Sequence, residues 1–272
     1  MKIVADIGGT KTRIAGSNDL MGFSEPVLYD TPKVYADGVN KFVETARRIS
    51  GNDPISSVQI GIRGAILREI GAVHDEVLTD WSEKLLCHDI ATRLSAHVEI
   101  ENDMALVGLG EAVFGAGKGA NIVVYLTVST GVGGSRIVDG RIDRSATYGF
   151  SPGGQYLNIE PTITFEEMVS GAAVERQFKT HPKELGKDNP VWDELAELTA
   201  YGVHNTILLW SPERVVLGGS MFNEIGISVP KVAENVKKIM KKFPEVPEIV
   251  HSSLGDFGGL WGGLALLRQR SD

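Results

Sequence analysis

Residues 4–16, VADIGGTKTRIAG, decide the fold that the sequence predicts. An apolar run ends at Asp6, a turn of small residues follows at positions 8–10, and a second strand-like run begins soon after. A strand that breaks at small residues and resumes as a strand gathers backbone N–H groups at the turn, and such a concave turn binds anions such as phosphate. Because a carboxylate repels phosphate, we expect Asp6 to serve a divalent cation, Mg²⁺, that lies between the two.

A second stretch repeats this pattern more than a hundred residues later. Residues 125–140, YLTVSTGVGGSRIVDG, again run from strand to turn to strand, and the predicted turn contains Thr130, Gly131, Gly133 and Gly134. Arg13 precedes an isoleucine after the first turn, as Arg136 does after the second. Glycine turns are also typical of plain β-hairpins, which use glycine only to reach positive φ. The recurrence favours two similar halves that face one nucleotide.

Composition and charge exclude several classes of protein. The chain has 272 residues, 42% of them apolar, which is enough for two domains with proper cores. The net charge of −8 argues against a nucleic-acid scaffold, whose surface would be basic. Cys87 is the only cysteine, which excludes an intramolecular disulfide and a cysteine-cluster metal site. We find neither a signal peptide nor an apolar run long enough to span a membrane, so we expect a cytoplasmic protein.

Apolar periodicity predicts alternating strands and helices, which is typical of an α/β fold. Besides the two hairpins, strands are predicted at residues 26–30, 58–62, 97–100, 214–217 and 246–250. Helices are predicted at residues 36–49, 83–94, 104–114, 165–178, 192–210, 229–242 and 258–267. The glycine-rich run at 115–119 is the clearest linker. We therefore predict an N-terminal domain at 1–115, completed by a C-terminal helix at about 256–272, and a second domain at 116–255.

Two polar features follow predicted strands, at the strand ends where ligands bind in open α/β sheets. Gly64 ends a sharp glycine turn after the strand at 58–62. Asn102 and Asp103 lie between the strand at 97–100 and the next helix. Such a pair is commonly a helix N-cap and nothing more. Between two phosphate-type turns, however, a carboxylate here is suited to accept a proton from an attacking hydroxyl group.

The second half contains two further candidate features. Thr164 and Glu167 have the spacing of a capping box, which gives Glu167 a structural role, whereas Glu166 either favours the helix dipole or faces a ligand. Gly218 and Gly219 follow a buried strand, where they allow a flat ring to approach the backbone or simply make a strand-to-helix turn.

Taken together, these motifs resemble the ROK family of bacterial and archaeal sugar kinases, which has the actin-like, or ribonuclease H-like, superfold. The resemblance covers almost the whole chain and rests on the combination of motifs. Its segments are DIGGTKTRIA at 6–15, VEIENDMALVGLGEAVFGAG at 98–117, STGVGGSRIVDGRI at 129–142, FEEMVSGAA at 165–173 and VVLGGSMF at 215–222. It implies an α/β fold of two actin-like domains with a nucleotide and sugar cleft between them, and a homodimer formed through the second domain.

The resemblance also implies ATP- and Mg²⁺-dependent transfer of a phosphoryl group to a sugar hydroxyl, usually the 6-hydroxyl of a hexose or N-acetylhexosamine. By similarity, Asp103 is the catalytic base and Asp6 holds Mg²⁺ through ATP and water. The residues implied to hold the nucleotide are Gly8, Gly9, Thr10, Lys11, Thr130, Gly131, Gly133, Gly218 and Gly219. Those implied to bind the sugar are Gly64, Asn102, Asp103, Gln155 and Glu166.

The sequence departs from the family in the half of the site that binds sugar. The family has a Gly-Glu-x-Gly-His stretch, followed by three cysteines that bind structural zinc with the histidine. Here residues 149–155 contain no glutamate, Gln155 is the nearest counterpart of the histidine, and the cysteines are absent. We therefore predict a variant with no zinc site. Trp81 remains from the family's Asn-x-x-x-Trp segment without an obvious asparagine, so the sequence leaves the identity of the sugar open.

Two other functions remain as alternatives. The family contains transcriptional repressors that sense sugars, but these carry a helix-turn-helix domain ahead of the core, and five residues before Asp6 leave no space for one. An actin-like filament protein, or an ATPase with an unusual acceptor, would share the phosphate turns. Asn102, Asp103 and Glu166 favour a sugar acceptor, so a sugar kinase is the preferred hypothesis.

Overall fold

The computed structural model describes residues 1–144, 150–158, 161–223 and 226–270. Contacts between Cα atoms divide these residues into two compact units. The first unit comprises Met1–Gly110 and the C-terminal segment that begins at Asp256, and the second unit comprises the described residues from Glu111 to Gly255. The chain therefore leaves the first unit inside a helix, a few residues before the glycine-rich run at 115–119. None of the described helices combines the length and the apolar character needed to cross a membrane.

The first unit contains one five-stranded sheet and a small hairpin. Its elements are β1 (Lys2–Ile7), β2 (Lys11–Ser17), β3 (Val27–Asp30), α1 (Tyr35–Ser50), β4 (Ser57–Ile62), β5 (Ala65–Leu67), β6 (Ala72–His74), α2 (Leu86–Leu94), β7 (His97–Asn102) and most of α3 (Asp103–Val113). The last helix, here called α8 (Gly258–Gln269), also belongs to this unit. The large sheet has the order β3-β2-β1-β4-β7, with β2 antiparallel to β1 and with β4 parallel to both β1 and β7.

Strand β1 is buried because helices cover both faces of its sheet. Ile3 and Ala5 belong to a core with Phe42 of α1, whereas Val4 between them packs with Leu260 of α8. Successive side chains of a strand point to opposite faces, so a strand covered on both sides has a continuous apolar sequence. Each large apolar side chain buried in this way stabilises the fold by about 1.5–3 kcal/mol.

The second unit contains a sheet of the same design. Its elements are β8 (Ile122–Val128), β9 (Val132–Val138), β10 (Arg141–Ile142), β11 (Tyr156–Asn158), β12 (Ile163–Thr164), α4 (Phe165–Val169), α5 (Gly171–Phe178), α6 (Val191–Trp210), β13 (Arg214–Gly218), α7 (Val229–Ile239) and β14 (Glu248–His251). The large sheet has the order β10-β9-β8-β13-β14. Strand β9 is antiparallel to β8, and β13 is parallel to both β8 and β14.

Both units therefore share one topology. When the strands of each large sheet are numbered within their own unit, both sheets have the order 3-2-1-4-5 with strand 2 antiparallel to its neighbours. Each begins with a hairpin whose turn contains glycine, and each continues with parallel strands that follow helices. The two similar halves that the recurring turns predicted are present in the structure.

The helix predicted at 165–178 is in fact two helices that meet at Ser170. This residue is buried and extended, with ψ of 157°, so the first helix ends at Val169. Its Oγ accepts a hydrogen bond from the N–H of Ala173 at 3.1 Å, which caps α5. The apolar periodicity continues through the break, so the periodicity alone indicated a single helix. The capping box predicted at Thr164 and Glu167 is present.

Two other predicted helices are shorter than expected. The helix predicted at 83–94 begins at Leu86 because Glu83 has φ of 61°, which is incompatible with a right-handed helix. The helix predicted at 229–242 ends at Ile239, since Met240 is extended, with ψ of 113°. Both errors lie at helix ends, where periodicity carries the least information.

Candidate active site

The turn between β1 and β2, residues 8–10, is here called the first turn. The carbonyl oxygens of all three residues accept hydrogen bonds from within the first unit. Thr31 Oγ1 donates to Gly8 O at 2.8 Å, Lys33 Nζ donates to Gly9 O at 2.5 Å, and the N–H of Thr31 donates to Thr10 O at 2.9 Å. The negative ends of these peptide dipoles are thus bound by protein, which suits a turn that receives an anion on its N–H side.

Two charged residues of this hairpin, Asp6 and Lys11, have partners on the neighbouring strand. Lys11 Nζ lies 2.5 Å from Asp30 Oδ1, an exposed pair at the sheet edge. Asp6 is opposite Arg13 in the register of the hairpin, with Nη1 of Arg13 at 3.5 Å from its Oδ2. Burial raises the pKa of Asp6 to about 7, Asp103 and Asp256 add to the rise, and Arg13 opposes it. Asp6 therefore lies in a position with excess negative charge.

Asn102 and Asp103 occupy the junction between β7 and α3. Asn102 Oδ1 accepts a hydrogen bond from the N–H of Ala105 at 3.1 Å, so this asparagine does cap the helix. Its Nδ2 donates to the carbonyl of Gly64 at 3.3 Å, which brings together two of the predicted sugar-binding residues. Gly64 has φ of 99°, and a Cβ there would lie 2.5 Å from the carbonyl oxygen of His74. Only glycine fits this turn.

Asp103 is the carboxylate that the sequence analysis selected as a base. Its Oδ1 accepts a hydrogen bond from the N–H of Met104 at 2.9 Å, at the first turn of α3. Burial raises the pKa of Asp103 to about 6, against the opposing effects of this N–H and of Arg63. Asp75 adds a smaller rise. A carboxylate with this pKa is ionised at neutral pH and still basic enough to accept a proton.

Arg63 and Asp75 form an ion pair that sequence reasoning missed. Arg63 Nε lies 2.6 Å from Asp75 Oδ2, and the side chain of Asp75 is only 2% exposed. Oδ1 of Asp75 accepts hydrogen bonds from the N–H groups of Val77 and Leu78, both at 2.6 Å. These donors and Arg63 hold the pKa of Asp75 below its ordinary value in spite of burial. The sequence did contain a signal for this pair, since Arg63 is a cation at the carboxyl end of a buried strand. The glycines on either side of it, Gly61 and Gly64, were interpreted as a sharp turn, and Arg63 was not considered.

Glu101 and Trp81, two family-like residues near this site, have structural roles. The buried Glu101 carboxylate binds the guanidinium of Arg68 through two hydrogen bonds, of 2.7 and 2.9 Å. Trp81 is also buried, packs edge-on against Tyr35 at 5.6 Å between ring centroids, and donates from Nε1 to the carbonyl of Pro32 at 3.0 Å. Its indole therefore supports α1.

The turn between β8 and β9, residues 129–131, is here called the second turn. The N–H groups of Gly171 and Ala172, at the start of α5, donate to the carbonyls of Ser129 and Thr130 at 2.6 and 3.3 Å. This contact explains why the helix predicted at 165–178 restarts at Gly171. As in the first turn, carbonyl oxygens are bound by protein.

Glu166 and Gly131 lie against each other at this turn. Glu166 Oε2 accepts a hydrogen bond from the N–H of Val132 at 2.7 Å. A Cβ at Gly131 would lie 2.6 Å from the same oxygen, so glycine is required for the contact. The exposed carboxylate of Glu166, which the family resemblance implies as a sugar-binding group, thus lies beside the second turn.

Two details of the predicted match between the turns were wrong. Gly133 and Gly134 lie inside β9, opposite Thr127 and Leu126, rather than in the turn. The arginines that follow the turns are not equivalent either. Arg13 faces Asp6 across the hairpin, whereas Arg136 lies two strand positions further from its turn, where it pairs with Asp143. A match of sequence letters does not fix register, because both turns have three residues and the two extra residues before Arg136 are therefore paired within β9.

Gly218 and Gly219 end β13 and pass close to β8. Gly219 has φ of 99°, and a Cβ there would lie 2.4 Å from the carbonyl oxygen of Val128, next to the second turn. A Cβ at Gly218 would lie 2.6 Å from Oη of Tyr125. These glycines are therefore required by backbone conformation and close packing, and they lead into a short 3₁₀ turn at Ser220–Phe222.

Gln155, the nearest counterpart of the family histidine, donates from Nε2 to the carbonyls of Pro152 and Gly202, at 2.9 and 3.4 Å. Part of the loop predicted at 148–155 lies outside the described residues, which begin again at residue 150 and form a 3₁₀ turn at Pro152–Gly154. Within the described ranges, no three His, Cys, Asp or Glu side chains are grouped so as to hold a metal ion by themselves.

Comparisons with known proteins agree on one family. A glucokinase of Streptomyces coelicolor is 24% identical over 99% of this chain and 98% of its own length. An N-acetyl-D-glucosamine kinase of Haemophilus influenzae is also 24% identical, over 96% of this chain and 97% of its own length. The crystal structure of a ROK family glucokinase from Streptomyces griseus, in complex with glucose and AMPPNP, superimposes with a TM-score of 0.82 at 21% identity, covering 98% and 99% of the two chains.

The structural likeness shows that the chain has the two-domain actin-like α/β fold. The family model described as "ROK family" matches residues 3–152 and 162–270, which is nearly the whole chain. This match includes both turns and the junction that carries Asn102 and Asp103. The chain therefore belongs to the ROK family.

Proposed function

We propose that this protein is an ATP-dependent sugar kinase, which transfers the γ-phosphoryl group of ATP to a hydroxyl, O6, of a hexose or N-acetylhexosamine. The observation that carries the proposal is Asp103, a half-buried carboxylate at the start of α3 with a pKa raised to about 6. At pH 7 to 8 such a group is ionised, and burial keeps its affinity for a proton high. Asp103 accepts the proton of the attacking hydroxyl, and Asn102 and Gly64, which are hydrogen-bonded to each other, bind the sugar beside it.

The two turns are proposed to bind the phosphates of the nucleotide. The N–H groups of Gly8 and Ser129 close the turns by donating to the carbonyls of Lys11 and Gly131, at 2.9 and 2.8 Å. The N–H groups of Gly9, Thr10, Thr130 and Gly131 are the ones proposed to contact the phosphates. Lys11, Thr10 and Gly131 lie in or beside the same turns. Gly218 and Gly219 border the adenosine in this proposal, and Gln155 and Glu166 complete the sugar-binding set.

The residues of the first unit fit a magnesium ion that is held through the nucleotide. Burial opposes the ionisation of Asp6, Asp103 and Asp256 add to this effect, and a divalent cation favours the ionised carboxylate. Mg²⁺ commonly takes only one or two carboxylates and completes its shell with water and phosphate. When bound, it neutralises charge on the phosphates during transfer.

The decisive experiment measures ADP release with Mg-ATP across glucose, fructose, mannose, N-acetylglucosamine and N-acetylmannosamine. One sugar is expected to give turnover, and Asp103→Asn should lower kcat by about 10²- to 10⁴-fold, since general base catalysis contributes that much. Sugar affinity of the variant, measured by calorimetry, should stay within about threefold because the amide keeps the size of the carboxylate and one acceptor oxygen.

Two results would contradict this proposal. Near-normal kcat in Asp103→Asn would remove the base from the mechanism. Sugar-independent ATP hydrolysis, with polymerisation that rises with protein concentration, would instead support a filament protein.

A further inference from the structure

Arg63 lies against the first turn. A Cβ built on Gly9 would be 3.1 Å from Nη1 of Arg63 and 3.6 Å from its Cδ, so the guanidinium lies beside the backbone of this turn. The side chain is 39% exposed, which leaves it accessible to a ligand. A cation is thus held at the turn whose backbone is shaped for an anion.

The orientation of Arg63 is fixed through its Nε. This atom donates to Asp75, whose own carboxylate is buried and held by the N–H groups of Val77 and Leu78. Within the described part of the chain, Nη1 and Nη2 of Arg63 donate no hydrogen bond. The terminal nitrogens of a guanidinium carry four N–H groups in a rigid plane, which match two oxygens of a phosphoryl group. Asp75 therefore anchors the arginine and leaves this end available.

The charge of Arg63 acts on Asp103 as well as on the first turn. It lowers the pKa of Asp103 against the effect of burial, so the guanidinium favours the ionised form of the carboxylate proposed as the base. Asp75 and the N–H of Met104 are the other groups that influence this carboxylate most, apart from its own N–H. Arg63 is thus a positive charge shared by the phosphate turn and the proposed base, where charge on the transferred group needs stabilisation.

We propose that Arg63 binds the γ-phosphoryl group of ATP during its transfer, and that Asp75 positions Arg63 for this contact. The proposal rests on the proposed sugar kinase function. In the step concerned, a bond forms between the acceptor oxygen and phosphorus and the bond from phosphorus to the β-phosphate oxygen breaks. ADP keeps the electron pair, and the hydroxyl proton passes to Asp103. Arg63 keeps its charge and its protons throughout, so it stabilises the transferred group without taking part in proton transfer.

The test compares Mg-AMPPNP with Mg-ADP, which differ by the γ-phosphoryl group. Arg63→Ala should weaken AMPPNP binding by about 10- to 100-fold, the usual value of a charge-assisted hydrogen-bond pair, and change ADP binding by less than about threefold. In Asp75→Asn the arginine keeps its charge but loses its anchor, so a smaller loss confined to AMPPNP is expected. Arg93→Ala is the matched control, because it removes an exposed arginine of the same unit that bonds Asn40.

Turnover adds a second readout. Arg63→Ala should lower kcat by about 10²- to 10³-fold with little change in KM for the sugar. Loss of the cation should also move the acidic limb of the pH profile to higher pH, since Arg63 favours the ionised form of Asp103.

Several results would overturn this inference. Equal losses for AMPPNP and ADP would make Arg63 a structural partner of Asp75, and a change in sugar affinity alone would make it a sugar contact. The nucleotide comparison needs no sugar. If the wild-type protein phosphorylates none of the sugars tested, the proposed function fails while the assignment of Arg63 is still decided.

Discussion

Asp6 and Asp103 are residues whose burial works against stability. Each is a carboxylate that folding removes from water, and the charge of Asp103 adds to the cost of ionising Asp6. Proteins retain groups of this kind where chemistry needs them, because the same burial that raises a pKa strengthens electrostatic action on a ligand. A nucleotide with its cation would compensate the charge that the free protein leaves unbalanced.

Replacing Asp6 by asparagine is therefore expected to stabilise the protein and to lower its turnover. The pKa of Asp6 is about 7 in the folded protein, against an ordinary value of 3.8, so folding favours the protonated form. The contribution of Asp6 to the free energy of unfolding is therefore lost as pH rises from its ordinary pKa of 3.8 through its folded pKa of about 7. Asparagine does not ionise, so Asp6→Asn does not show this loss. Its gain in unfolding free energy should be larger at pH 8 than at pH 5 by about 1–3 kcal/mol.

Urea denaturation at the two pH values measures this difference. Asp53→Asn, a change at an exposed turn aspartate, serves as the control and should show no comparable pH dependence. A loss of stability at pH 8 in Asp6→Asn would mean that Arg13 outweighs burial at this position.

At this scale the sequence predicted the carboxylates but not their surroundings. Asp6, Asn102 and Asp103 were predicted from their positions beside turns and helix starts. The pair of Arg63 and Asp75 could not be predicted from the sequence. Arg63 precedes β5 and Asp75 follows β6, so the two residues meet only when these strands pair as a hairpin. The bond from Asn102 to Gly64 likewise depends on the parallel pairing of β4 with β7.

Among the elements, α3 and α8 approach each other so closely that their backbones are in contact. A Cβ at Gly262 of α8 would lie 1.7 Å from the carbonyl oxygen of Leu106 on α3, and one at Gly110 would lie 2.6 Å from the carbonyl oxygen of Gly258. Backbone therefore meets backbone, and no rotamer change can make room. Close contact with α8 keeps α3, and with it Asp103, in position.

Gly262→Ala is expected to destabilise the protein by about 1–3 kcal/mol or more, because the new methyl group forces the two helices apart. The neighbouring Gly263→Ala is the control. Its Cβ would meet nothing nearer than Val4 Cγ1 at 3.3 Å, and alanine is the better helix former. Thermal and urea unfolding of both variants measure the difference. Equal stabilities would show that α8 can shift without cost.

Element type was largely predictable, and element ends were not. The helix predicted at 258–267 is present at Gly258–Gln269, and its repeated glycines allow the close approach to α3. The break at Ser170 escaped prediction because it is imposed by the second turn, whose carbonyls take the N–H groups of Gly171 and Ala172. A distant contact of this kind leaves no periodic signal in the helix sequence.

The whole molecule consists of two units with the same strand order. Its sequence departs from the family motifs at residues 149–155, in the second unit, where a sugar-binding stretch is implied. The recurring turns predicted the duplication, and the strand orders of the two sheets agree with it. The recurrence did not predict the register, since Gly133 and Gly134 are paired within β9 and place Arg136 two positions further along its strand than Arg13. The amide of Gln155, which the family resemblance implies as the counterpart of the histidine, donates to the backbone carbonyls of Pro152 and Gly202.

We predict that the purified protein contains no stoichiometric zinc. The residues that bind zinc in the family are absent here, and Cys87 is the only thiol. Mass-spectrometric metal analysis should find well under one zinc per chain, and a chelator should leave the melting temperature unchanged in the absence of nucleotide. One zinc per chain, or a fall in melting temperature on chelation, would contradict this prediction.

The division of the chain has a consequence for how the protein is made. All residues of the second unit lie between Glu111 and Gly255, whereas the first unit needs α8, which follows them. During synthesis, a domain can fold once all of its residues have emerged from the ribosome. The second unit can therefore complete its core before the first unit does. Val4 and Ala15 of the first unit remain uncovered until Leu260 and Leu264 of α8 have been synthesised. The order of synthesis and the order in which the two cores close are thus reversed, and one face of the first unit's sheet stays exposed until α8 has been made.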